Sequence, residues 1–258
     1  YNRMATALHI AVAIIVMLKH FYSSHSPHFG IIPLTLRKIR QSFMKQLWQY
    51  IKNPLEYCSY DFSIRTMLSS AILCLLVPLF FKVLTASVFI IAGVDLPAMT
   101  SDKSVLPLCF LIVVPPIVEE LGFRLPLKRG RLNLCISVAL IAFVFSKVIF
   151  AGGLYSEHLL CRIGFAIIAS SVINLILGKW LQNVRFKIFF YSMAILFAML
   201  HIVNYSHQTL DVSQWLYVIC YACAKIPGSI LYGYARMKHG MLFCIVIHII
   251  SNLPSMII

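Results

Sequence analysis

The chain has 258 residues, 60% of them hydrophobic and 12% charged, with a mean hydropathy of +0.88. That is more apolar surface than a soluble core of this size can hide, which excludes an ordinary soluble domain and points to a polytopic membrane protein. The formal net charge of +14 would suit a nucleic-acid binder, but Lys and Arg collect in alternate loops between apolar blocks, so no nucleic-acid partner is expected.

Residues 4–22 make the first and weakest apolar stretch, because Ala5–Leu18 is short and Lys19 follows. It has the length of a signal peptide but no small-residue cleavage site before Lys19-His20-Phe21-Tyr22, so it reads as retained. Next, Leu36, Ile39, Phe43, Leu47 and Ile51 recur at helical spacing, with Lys38, Arg40, Lys45 and Lys52 among the other positions. This pattern predicts an amphipathic helix on the inner leaflet, either a surface anchor and substrate guide or a connector packed on the bundle. Apolar blocks near the twenty residues that span a bilayer as helix then follow at 66–94, 105–124, 133–152, 161–180, 186–205, 214–234 and 240–258. With residues 4–22 the total is eight, without them seven.

Arg37, Lys38, Arg40, Lys45, Lys52 and Arg65 precede the second span. Lys128, Arg129 and Arg131 follow the third, Lys179, Arg185 and Lys187 flank the next basic loop, and Arg236 and Lys238 occupy the last. The intervening loops carry Asp95, Asp102, Glu157 and Asp211 with few cations. The positive-inside rule assigns the basic loops to the cytoplasm, and the alternation agrees with eight spans. The expected fold class is therefore all-α, a polytopic transmembrane bundle of about eight spans with one interfacial helix. No linker, repeat or low-complexity segment divides residues 1–258, so a single domain is expected. Cys220-Tyr221-Ala222-Cys223 has redox spacing but lies in apolar helix, where the cysteines read as small packing residues.

The chemistry starts at Glu119 and Glu120, adjacent carboxylates that end the uncharged run Val105–Val118 in a chain with only 8 acidic residues. Carboxylates at membrane depth are costly and usually functional. Helix neighbours point about 100° apart, so the two cannot both address one reacting atom. Glu120 and Arg124 are four apart with the acid first, the favourable order for an ion pair, which makes Glu120 the structural partner. Glu119 is then free to face the bundle interior as a general base. Pro115 and Pro116 upstream either kink the helix or loosen the packing beside the acids. Phe197 lies one turn before His201, where its ring can pack on the imidazole, and His248 and Asn252 share one face of the last span.

Glu-Glu-x-x-x-Arg, Phe-x-x-x-His and His-x-x-x-Asn, in this order and in separate predicted spans, resemble the CAAX protease and bacteriocin-processing family, also called Abi proteases, which includes the Ras-converting CAAX endopeptidase. The resemblance covers about residues 105–258 and extends to Phe-Arg-Leu-Pro-Leu after the acids and Lys-His-Gly before the final helix. It implies that Glu119 with His201 activates water for attack on a peptide carbonyl, while His248 and Asn252 stabilise the oxyanion. Glu120, Arg124 and Phe197 would support them. This division suits the chemistry, since a base needs a lone pair near water and a tetrahedral intermediate needs prepositioned donors. Glu119, His201 and His248 also match a two-histidine, one-carboxylate zinc site with an open position, although the metal-free mechanism is the preferred reading.

In many relatives the histidine helix follows the glutamate helix directly, whereas here the spans near 133–152 and 161–180 intervene. An even insertion preserves helix direction. Measured from Lys187 and Gly240, His201 lies about 21 Å deep and His248 about 12 Å, so span six is expected to project by a turn or two. Lys82, Lys147 and Lys225 are further intramembrane cations, open to snorkelling, pairing with acids or binding a substrate carboxylate, and Pro227-Gly228 is expected to break the seventh span beside Lys225. The expected activity is that of an intramembrane endopeptidase acting on a hydrophobic, lipidated or membrane-associated peptide. It would sit in the bilayer, by family distribution that of the bacterial cytoplasmic membrane, with its site toward the cytoplasmic half. The alternative is a non-catalytic membrane protein, a bacteriocin-immunity or scaffold component that keeps the polar core.

Overall fold

The computed structural model describes residues 43–97, 108–150, 158–206 and 208–253. Pro54–Asn252 forms one compact unit that carries the candidate site. Of the other unit the described residues are 43–53, with helix α1 over residues 43–52, and Leu253. The expected face appears in α1, where Phe43, Leu47 and Tyr50 are buried while Met44 and Trp48 are exposed. Residues 36–42 of that pattern, and the first predicted span at 4–22, lie outside the described residues.

The Pro54–Asn252 unit is all-α: α2 (Ile64–Ile91), α3 (Leu108–Phe123), α4 (Arg131–Phe145), α5 (Leu159–Asn183), α6 (Phe186–Leu200), α7 (Val212–Cys223), α8 (Ile226–His239) and α9 (Met241–Asn252). Short 3₁₀ turns at Leu125–Leu127, Ser146–Val148 and His201–Tyr205 follow α3, α4 and α6. Local chemistry sets several ends. Ser63 caps α2 by accepting from the Thr66 N–H, and Asp211 with Gln214 forms a reciprocal capping box at α7. The predicted span 214–234 holds two helices, α7 and α8, and the expected break falls at Ala224–Lys225, because Pro227 fits the first turn of a helix and not its interior.

Among the described residues five helical stretches are long and apolar enough to cross a membrane: Ile64–Ile91, Arg131–Val148, Leu159–Asn183, Phe186–Tyr205 and Val212–His239, the last counting α7 and α8 together. The protein is thus read as an integral membrane protein. Of the predicted spans 105–124 and 240–258 the structure describes the 16-residue α3 and the 12-residue α9, while residues 105–107 and 254–258 lie outside the described residues.

α8 is the hub of the unit. It packs on α2, α6 and α9 and buries residues on every side, whereas the outward faces of α2 and α5 expose Ile, Leu and Phe. Close approach explains its glycines. A Cβ at Gly228 would sit 2.6 Å from the Pro78 ring of α2, and one at Gly233 would sit 2.6 Å from the buried Phe190 ring of α6. α3 lies against α4, α6 and α9, so its carboxylates face the helix that carries His248.

The basic loops meet at one end of this unit. Arg129 donates to the Gln182 and Val184 carbonyls and pairs with Glu56 at 3.4 Å. Lys128 donates to Tyr60, and the Asp61 N–H donates to the Lys238 carbonyl at 2.9 Å. At the other end Gln214 donates to the Asp95 carbonyl at 3.1 Å. The charge alternation read in the sequence therefore corresponds to two physical ends of the bundle.

Candidate active site

Glu119 and Glu120 diverge as adjacent helical residues must, yet both address one side chain. Glu120 is fully buried and its Oε1 lies 2.7 Å from His248 Nδ1. Glu119 is a quarter exposed and its Oε2 lies 3.5 Å from His248 Nε2. The imidazole thus stands between two carboxylates that take opposite ring nitrogens. The expectation that Glu120 serves mainly Arg124 is incomplete in this respect. The Arg124–Glu120 ion pair is present at 3.6 Å, but the shorter contact of Glu120 is to His248. The reason is packing: α9 crosses α3 where residue 120 points inward, and burial demands that the carboxylate be paired and hydrogen-bonded.

The network is closed by residues the sequence motifs do not contain. The Cys244 sulfur lies 3.0 Å from Glu120 Oε2, one helical turn before His248 on the same face. The Tyr232 ring lies 5.0 Å from the His248 ring. Arg124 donates to Ser229 at 3.1 Å and stands 4.0 Å over the Phe197 ring, a cation–π contact. The i+4 spacing of Cys244 and His248 was a usable sequence signal; nothing local announced Tyr232 or Ser229, which reach the site by the packing of α8.

Hydrogen-bond chemistry fixes the tautomers. His201 Nδ1 lies 2.9 Å from the Phe197 carbonyl, which can only accept, so Nδ1 carries the proton and Nε2 of the neutral ring keeps a lone pair. His248 Nδ1 likewise faces the Glu120 carboxylate, which accepts, so Nε2 is the nitrogen turned toward Glu119, at 3.5 Å.

A cavity of about 220 Å³ opens on the Glu119 side. Its wall includes Glu119, Phe123, Phe197, His201 and Asn204, with Lys147 and Arg162 contributed from beyond α4 and from α5. Neither His248 nor Asn252 is in that wall: His248 is buried behind Glu119, and the half-buried Asn252 ends α9 one turn further on. The depth mismatch expected between His201 and His248 is bridged by Phe197, whose ring is 4.8 Å from the His201 ring and 6.3 Å from the His248 ring. Here α6 ends at Leu200, and His201 opens the 3₁₀ turn that follows. Lys82 of α2 and Lys225 at the α7–α8 break stand within electrostatic range of Glu119, and Lys225 lies 5.0 Å from the Tyr221 ring. Among the described residues no three His, Cys, Asp or Glu side chains group with metal-ligand spacing.

Comparison of the chain with protein-family models, with curated proteins and with solved structures finds no match.

Proposed function

We propose that this protein is an intramembrane endopeptidase of the CAAX protease and bacteriocin-processing type, in which Glu119 and His201 activate a water against a peptide carbonyl. The observation that carries this reading is that Glu119, the partly exposed member of the pair, and His201 line one cavity in an otherwise apolar bundle. Water between them would lose its proton to the Glu119 carboxylate while the His201 Nε2 lone pair orients it. His248, once protonated on Nε2, and Asn252 one turn beyond would supply donors to an oxyanion developing beside Glu119. The Arg124–Glu120–His248 chain supports the reading because it locks the tautomer and the direction of the ring. No metal is required by this scheme.

The substrate would be a hydrophobic, lipidated or membrane-associated peptide reaching the cavity from the bilayer. The bundle would comprise about eight spans with α1 as an interfacial helix, and the end bearing Lys128, Arg129 and Lys238 would lie on the cytoplasmic side of a bacterial cytoplasmic membrane. The test is cleavage of a panel of fluorogenic apolar and lipidated peptides by purified protein in nanodiscs. Activity should vanish in Glu119→Gln and His201→Ala while both variants remain folded. Full biological activity of Glu119→Gln without cleavage of any peptide would instead establish a non-catalytic immunity or scaffold role, and stoichiometric zinc lost in both variants would replace the metal-free mechanism.

A further inference from the structure

One wall of the cavity has no place in that mechanism. α4 ends at Phe145 and passes into the 3₁₀ turn Ser146–Val148, which holds Lys147 at the cavity. The turn is fixed from α5 by Arg162, a buried arginine whose Nε donates to Ser146 Oγ at 2.9 Å and whose Nη2 donates to the Phe143 carbonyl at 3.3 Å. Its guanidinium also lies 4.6 Å from the Phe143 ring, and Arg162 itself reaches the cavity wall. Ser146 Oγ in turn donates to the Phe143 carbonyl at 2.6 Å, so the turn is held from both sides. These residues sit on the two helices that separate the glutamate helix from the first histidine helix. A wall that carries Lys147 and Arg162 together with a single partly exposed carboxylate suits an anionic guest.

We propose that Lys147 and Arg162 form a subsite that binds a carboxylate of the peptide occupying the cavity. This rests on the reading of the cavity as a peptide site. A volume of about 220 Å³ falls below the roughly 300–1,000 Å³ of drug-sized pockets and admits a short, mostly extended piece of chain. The Lys147 ammonium, with the charge of the anchored Arg162 guanidinium in the same wall, suits a carboxylate. A singly charged carboxylate also meets less repulsion from Glu119 than a phosphate dianion would. The two sources of that carboxylate are a chain terminus and an Asp or Glu side chain.

The experiment uses full-length protein in phosphatidylcholine nanodiscs and three fluorescein-labelled apolar pentapeptides: one with a free C-terminal acid, its C-terminal amide, and an amide ending in glutamate. Binding is read by anisotropy and cleavage in parallel. The acid should bind about ten- to a hundredfold tighter than the plain amide, as one charge-assisted hydrogen bond provides. Lys147→Gln should bring that ratio toward one, and Lys147→Arg should restore it. A glutamate peptide that binds like the acid supports the subsite and names a side-chain source; one that binds like the plain amide supports a chain terminus. Equal binding of acid and amide by the wild type overturns the subsite, as does a preference unchanged in Lys147→Gln, which would leave Lys147 compensating the carbonyl end of α4. Loss of the preference on adding phosphatidylglycerol overturns it in favour of a lipid headgroup. Lys147-dependent preference without cleavage upholds the subsite and overturns the protease; cleavage with no preference does the reverse.

Discussion

Replacing Glu120 with glutamine keeps the shape of the side chain and an oxygen that can accept from His248, but removes the charge facing Arg124. Both partners are almost fully buried, Arg124 at 1% exposure and Glu120 at 0%. The guanidinium retains its contact with Ser229 and the Phe197 face, yet neither carries a countercharge. Breaking a buried pair from one side costs about 3–5 kcal/mol, because it leaves an uncompensated buried charge. For a domain of this size that corresponds to a fall in Tm of roughly 6–20 °C. The assay is thermal unfolding of the wild type, Glu120→Gln, Arg124→Met and the double variant in one detergent. If the pair is a unit, the double variant should be more stable than the sum of the singles implies, with a coupling of about 1–3 kcal/mol. Additive losses, or a Glu120→Gln variant within about 1 kcal/mol of wild type, would refute the claim that burial binds Arg124, Glu120 and His248 into one network.

Glu119→Gln should cost no more than about 1 kcal/mol, since a partly exposed carboxylate 3.5 Å from its partner contributes little to stability; a large Tm loss would recast Glu119 as structural. Gly233→Ala should destabilise by about 1–3 kcal/mol because the new methyl meets the buried Phe190 ring, whereas Gly164→Ala, with open space at that position, should be neutral or slightly stabilising; equal Tm values for the two would contradict the close α6–α8 packing. The Asp61 carboxyl is held below its ordinary range chiefly by the Ser63 N–H, which donates to it at 2.9 Å. A group with a depressed folded pKa stabilises above its unfolded value, about 3.9, and the contribution is lost as pH falls through the folded value. Amide exchange of Thr66 and Met67 should therefore accelerate, beyond intrinsic chemistry, only below about pH 4, and Asp61→Asn should remove that dependence.

The features legible in the sequence were those written in short-range pattern. Apolar run length gave an all-α membrane protein, and the alternation of basic and acidic loops gave two distinct ends, later matched by the contacts of Arg129, Lys128 and Lys238 at one of them. The i,i+4 spacing of Glu120 and Arg124 and of Phe197 and His201 gave contacts that a single helix enforces, present at 3.6 and 4.8 Å. The Pro227-Gly228 pair marked the break in the seventh stretch beside Lys225, and the structure has it between α7 and α8.

Amino-acid order by itself determined which side chains are chemically able to act, because a carboxylate or imidazole in an apolar helix is conspicuous in one dimension. Which of them meet was decided by the crossing of helices far apart in the chain. Only the packing of α9 on α3 puts one imidazole between Glu119 and Glu120, and only α6 against α3 sets His201 beside the Glu119 cavity while His248 stays behind it. The packing of α4 on α3 and of α5 on α4 brings Lys147, which follows α4, and Arg162 of α5 to that wall. Helical periodicity fixes the direction of a side chain about its own axis, but the partner in that direction depends on crossing angle and register, which no local spacing contains.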